Sequence, residues 1–235
     1  MKTTILIPMG ILSVMLLIAC TEGDQQLLPE TPNTSVSLKS SQVIIENKSN
    51  PYDAIGQDYR NFLSSYKTGT YSPSNYAAVV NSVNALTGFT ALSSGNVQLR
   101  LLLNGCMNTP EITLSTLLQN SNLSPAAKDL LTDFINSYQK LANEPFSSAY
   151  DDIVLTETEV SNSNLLIADE RRILLTVTSV VRYSLYHSCC EDTDWEKSVG
   201  NIVAFAAGAL ENNELALQYA LITSIAGLEN IQLPN

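Results

Sequence analysis

The prolines are the tightest constraint on what this chain can fold into. In Asn50-Pro51, Ser72-Pro73, Thr109-Pro110 and Ser124-Pro125, each follows a residue whose side-chain oxygen can cap a helix, and Glu144-Pro145 is a weaker fifth case. The cap oxygen accepts a bond from a backbone N–H that the first helical turn leaves unpaired. Proline at the next position has no N–H to leave unpaired, and its φ already suits a helix. One rule thus accounts for all prolines between 51 and 145, and it predicts a helical domain.

The apolar spacing agrees. After Pro51 come Tyr52, Ile55, Tyr59, Phe62 and Tyr66, alternately three and four apart, until Gly69. After Pro73 the series is Tyr76, Val79, Val80, Val83 and Leu86, ending at Gly88. After Pro125 it is Ala127, Leu130, Leu131, Phe134, Ile135, Tyr138 and Leu141, with charged and amide residues on the opposite face. These are the periods of amphipathic helices packed on a core. Residues 89–120 lack a clean period, although Ile112, Leu114, Leu117 and Leu118 suit a short helix. Phe146 to Val160 is amphipathic and acidic, while Leu165 to Tyr186 is apolar on nearly all sides and should be the central helix. The capping box Thr193-Asp194-Trp195-Glu196 should open a helix to about Leu210, and Glu214 to Leu228 should form the last one. The expected fold is all-α, a bundle of six to eight helices occupying residues 50–235.

The N-terminus supplies an address. Lys2 gives a short positive start, Ile5 to Ile18 an apolar run, and the segment ends Leu17-Ile18-Ala19-Cys20. That run is short for a membrane span and stands where a signal peptide stands. Leu17, Ile18, Ala19 and Cys20 look like a lipobox, in which Cys20 becomes the lipid-modified N-terminus once residues 1–19 are removed. Several acyl chains on one cysteine suffice for stable anchoring. Residues 20–49 are rich in Ser, Thr, Asn, Gln and Pro and read as the lipidated Cys20 followed by a flexible linker. As a coil, such a linker reaches ~30 Å.

Charge narrows the partners. The chain has 12 Lys+Arg against 23 Asp+Glu, a net charge of −11. Loss of Lys2 with the signal peptide leaves 11 against 23, or −12. Phosphate backbones need clustered cations, so nucleic acid is excluded as a partner.

No constellation carries chemistry. A single histidine, His187, serves the whole chain, so a Ser–His–Asp centre would have to use it, and no nucleophile elbow is present. His187, Cys189, Cys190 and the acids after them do not complete a zinc set. Asp192, Asp194 and Glu196 begin a calcium-loop pattern that lacks its glycine and its final glutamate. We therefore expect no metal, no cofactor and no catalytic residue. The acids Asp151, Asp152, Glu157 and Glu159 are the weaker alternative, a carboxylate-dependent hydrolase. Cys106 could pair with Cys189 or Cys190 in an oxidising envelope, although buried free thiols fit the sequence as well. Tyr52, Tyr59 and Tyr66 stand seven apart. They form either a helix-packing seam or an aromatic row that binds a sugar or protein. Gly200, Ala204 and Gly208, four apart, would allow close helix approach.

Several of these features together resemble a group of uncharacterised Bacteroidota lipoproteins. They are the lipobox, the run Asn50-Pro51-Tyr52-Asp53-Ala54-Ile55-Gly56, the helix start Leu123-Ser124-Pro125-Ala126, and Glu170-Arg171-Arg172 through Arg182-Tyr183-Ser184 to Asp194-Trp195. The resemblance spans roughly residues 1–197, and the acids Glu22 and Asp24 after Cys20 are similar to the export signals of surface lipoproteins in that phylum. It implies a cell-envelope protein anchored to the outer membrane, on its periplasmic face or at the cell surface. It carries no known activity. The expected role is structural, interacting or ligand-binding without catalysis, toward a protein or glycan partner, with a carbohydrate- or peptide-binding accessory protein as the alternative.

Overall fold

The computed structural model describes residues 44–190 and 199–233, leaving aside the side chains of 187–190. The lipobox, Cys20, the linker up to residue 43, the capping box at 193–196 and the side chains of His187, Cys189 and Cys190 lie outside the described residues. Helix is the regular structure of those described. Nine helices run in order: α1 Asp53–Thr68, α2 Tyr76–Thr87, α3 Val97–Asn108, α4 Pro110–Asn120, α5 Pro125–Asn143, α6 Phe146–Asn162, α7 Ala168–Cys190, α8 Val199–Ala209 and α9 Asn213–Leu228.

This all-α architecture is the expected one, with one helix more than the upper expectation of eight. The addition is α3, in the stretch without a clean period. It starts at Asn96, whose side chain accepts from the Leu99 amide at 3.1 Å. Leu99, Leu103 and Cys106 face the core, while Leu101 and Leu102 lie off that face, so its apolar residues do not form one stripe. Helix propensity and capping made the helix, and two-sided apolarity hid it.

The proline rule located some starts and missed others. Ser124 caps α5 by accepting from the Ala127 amide at 3.3 Å, with Pro125 as the first helical residue. Pro110 opens α4, but the Thr109 hydroxyl turns back to donate to the Gly105 carbonyl at 3.2 Å. Helix α2 starts three residues after Pro73, capped by Asn75, which accepts from the Ala78 amide at 3.0 Å. Helix α1 starts after Tyr52, because Asn50 accepts from the Tyr52 amide in a local turn instead of capping a helix. Pro145 itself precedes α6 as its capping position. Asn and Ser bond their own neighbours in turns as readily as they cap helices, so the pair marks a turn with a helix close behind.

Helix α7 is the centre. From Ile173 to Leu185 every residue is buried, and α1, α5, α6 and α8 pack around it. Gly56 lets α1 approach closely, since a Cβ there would stand 2.6 Å from the Ser179 carbonyl oxygen. Helices α8 and α9 form a hairpin with apolar or small residues nearly all round, and Gly208 allows its tight contact: a Cβ would meet the Ala216 backbone at 2.5 Å. A Cβ at Gly200 would likewise meet the Cys106 carbonyl at 2.6 Å, so this glycine is a packing position between α8 and α3. Among the described residues, no helix is long and apolar enough to cross a membrane.

Candidate functional site

Two regions of the described residues bear on function. One is a buried ionic junction, and the other is a surface groove.

The junction is built where the segment before α1 crosses α6 and α7. Arg182, in the middle of α7, is wholly buried and donates to Asp53 Oδ1 at 2.5 Å, to Glu157 Oε1 at 3.2 Å and to the Ile45 carbonyl. Glu157 is 1% exposed, and its carboxylate is filled on both oxygens. Oε1 accepts from Asn50 Nδ2 at 2.8 Å and from the Thr178 hydroxyl at 3.1 Å, and Oε2 accepts from Asn47 Nδ2 at 2.6 Å. Asp53 also accepts from the Tyr183 hydroxyl at 3.1 Å and the Asn47 amide at 3.2 Å. Burial alone would lower the Arg182 pKa, but the charges of Glu157 and Asp53 outweigh it and hold the pKa above its ordinary value. Burial and the Asp53 charge push the Tyr183 hydroxyl pKa up. Each of the four carboxylate oxygens thus has at least one hydrogen-bond partner within the junction. The arrangement fastens residues 45–53 to α6 and α7, so the last part of the stretch read as linker, 44–49, belongs to the folded body.

Glu157 stands apart from the other acids of α6. Asp151, Asp152 and Glu159 lie exposed on α6, as a solvated face requires. Glu157 instead continues the buried row Ala149, Ile153, Val160 at helical spacing. An acid in register with an apolar stripe was the available signal, and Arg182 inside an apolar run was its counterpart. Asn47 and Asn50 gave none, since short amides are ordinary in a loop.

The tyrosines divide. Tyr59 and Tyr66 are buried, the former paired with the Ser224 hydroxyl at 2.8 Å and the latter donating to Glu229 Oε1 at 2.7 Å. Tyr52 is half-buried against the core. The row therefore serves as a seam between α1 and the C-terminal hairpin rather than as an exposed stacking surface. Cys106 is a buried free thiol whose pKa burial raises to about 12, which leaves it protonated and unreactive at neutral pH. Among the described residues, no three His, Cys, Asp or Glu side chains converge on a metal-sized site.

The groove lies between the α3–α4 hairpin, the start of α7 and the end of α8, with a volume of about 730 Å³. Helices α3 and α4 meet closely at Gly105, where a Cβ would stand 2.7 Å from the Thr113 hydroxyl. The floor is Leu102, Leu117, Leu123, Ile173 and Leu210. Its lips are Leu101, Ile112 and Ile167, which are 46%, 69% and 65% exposed. Leu101, Ile112 and Ile167 thus surround one hollow whose lining mixes apolar side chains with Gln98, Thr113, Thr116 and Asn120. Glu170 supports the rim. Its carboxylate accepts from the Ser124 amide at 2.6 Å and the Ile167 amide at 3.0 Å, joining the starts of α5 and α7. Burial would raise its pKa, but these two amide bonds prevail and lower it. Asp169 and Glu211 complete the acidic edge. No candidate residue from the sequence falls in this groove, because it exists only once three separated segments meet.

No protein-family profile matches the chain, and neither the curated proteins nor the solved structures contain a significant match to it.

Proposed function

We propose that this chain is a cell-envelope lipoprotein, anchored to the outer membrane through Cys20, whose helical domain docks a protein segment in the α3–α4 groove without catalysis. The observation that carries the docking role is the hollow of about 730 Å³ with Leu101, Ile112 and Ile167 left open around it. The convergence of both junction carboxylates on the buried Arg182 supports a non-catalytic role. A glycan partner is the weaker reading, because none of the described residues lining the groove is aromatic and Tyr59 and Tyr66 are packed inside. The lipobox Leu17-Ile18-Ala19-Cys20 supports the anchor.

Each half has its own test. Metabolic labelling with an alkyne palmitate should tag the wild type and leave Cys20→Ala unlabelled, and equal labelling of both sinks the anchor. A neutral solvatochromic dye should brighten on the wild-type chain and lose that response in the double variant Ile112→Ser, Ile167→Ser. An unchanged response in that variant removes the groove as a docking surface.

A further inference from the structure

We infer that the groove takes a cationic amphipathic helix of a partner protein, an inference that rests on the docking role proposed above. The first argument is shape. On α4, Ile112, Thr116 and Asn120 line the groove at steps of four, beside Thr113 and Leu117, also four apart. A whole face of α4 is thus turned to the hollow, and the Leu101–Gly105 side of α3 lies opposite. Two helices forming the walls of a trough, with Leu101, Leu102, Ile112 and Leu117 set among Gln98, Thr113, Thr116 and Asn120, suit a third, amphipathic helix that inserts apolar side chains at i, i+3 or i+4 and i+7.

The second argument is charge. Among the described residues lining the groove there is no Lys or Arg, while Asp169, Glu170 and Glu211 are all carboxylates. Glu170 is occupied by backbone amides and Asp169 is paired with Arg172 at 2.8 Å, so the exposed Glu211 sets the field at the rim. Just beyond it stands the exposed Glu214. The nearby cation Arg172 is engaged with Asp169, Asn213 and the Ala209 carbonyl. A helix with Lys or Arg flanking its apolar anchors would find unlike charge at that end, and an acidic one would be repelled. The same field disfavours a second copy of a chain carrying −11. It also disfavours a membrane surface with anionic head groups.

The test uses the full chain and three probes. These are a labelled synthetic helix with Leu at i, i+4 and i+7 and flanking lysines, the same peptide with glutamates for the lysines, and phosphatidylcholine vesicles with and without phosphatidylglycerol. At low salt the cationic peptide should bind at least about tenfold more tightly than the acidic one, with the gap narrowing as ionic strength rises. Glu211→Lys should weaken the cationic peptide roughly three- to tenfold, and the pair Ile112→Ser, Ile167→Ser by about tenfold or more. Circular dichroism checks that both variants keep their helix.

Equal affinity for the two peptides, with loss of both in the Ile112, Ile167 variant, overturns the cationic partner and leaves the docking role standing. Failure of both peptides overturns the inference, and an unchanged dye response in the same variant then removes the docking role as well. Groove-dependent binding to vesicles but not to peptides overturns it in favour of a lipid surface. Self-association abolished by the serine pair overturns it in favour of a second copy.

Discussion

The Arg182 junction and the α3–α4 groove use similar side chains to opposite ends. At the junction, two carboxylates, a guanidinium, two amides and three hydroxyls close on one another, the hydroxyl of Ser179 accepting from the Gly56 amide at 3.2 Å and donating to the Asp53 carbonyl at 3.0 Å. In the groove, Asp169 and Glu211 face solvent, and Leu101, Ile112 and Ile167 stand open above a floor packed on the core. The difference teaches where each region's free energy goes. A buried charge that loses its partner is costly, so the junction holds the N-terminal segment in one position. An exposed apolar lip such as Ile112 contributes almost nothing to folding.

The contrast can be broken at three points. Arg182→Met should have the largest effect, because it leaves Asp53 and Glu157 without their cation. Loss of one partner from a buried ionic set costs about 3–5 kcal/mol, measured as a fall in the urea midpoint. A change below about 1 kcal/mol would mean that water reaches the junction and that the two regions differ less than the geometry implies.

Glu170→Gln should come second. Glu170 belongs to the groove rim yet is held as the junction acids are, so it tests whether the two classes are separable. Replacing the ionised acceptor of two backbone amides should cost about 1–2 kcal/mol at neutral pH. Because its folded pKa is lowered, the contribution is complete above the ordinary glutamate pKa of 4.5 and is lost as pH falls through the lower folded value. Wild type should therefore lose stability over that acidic interval, and Glu170→Gln should lose less. Parallel curves for the two proteins would show that the amide bonds do not discriminate the carboxylate from its acid.

Ile112→Ser should have the smallest effect on folding, within about 0.5 kcal/mol of wild type by urea melting. A clear loss would place Ile112 in the core and close the groove.

These outcomes also mark what was legible in the chain. Helix α5 was readable end to end, because Ser124 and Pro125 mark its start and a clean apolar stripe runs through it. Burial of α7 was readable from apolar residues on all sides. The start of α1 was not, since Asn50 serves Glu157 and the Leu175 carbonyl across more than a hundred residues, and local patterns hold no record of that. Helix α3 was obscured because Leu101 and Leu102 stand off its core face. Of the site, Leu101 and Ile112 could be named as apolar but not as lips of one hollow, and Glu157 and Arg182 could be noticed as charges in apolar rows but not as partners.

By itself, then, the sequence determined the acidic charge, which is a sum over residues, and the helical class and most of the apolar faces, since these depend on residues within a turn or two of one another. Tertiary structure alone decided which charges are spent and which stay open. Ion pairing between α1, α6 and α7, and the hollow where α3, α4, α7 and α8 meet, depend on distances between segments far apart in the chain. Such distances follow from how whole helices pack, to which every core residue contributes and which no local pattern encodes.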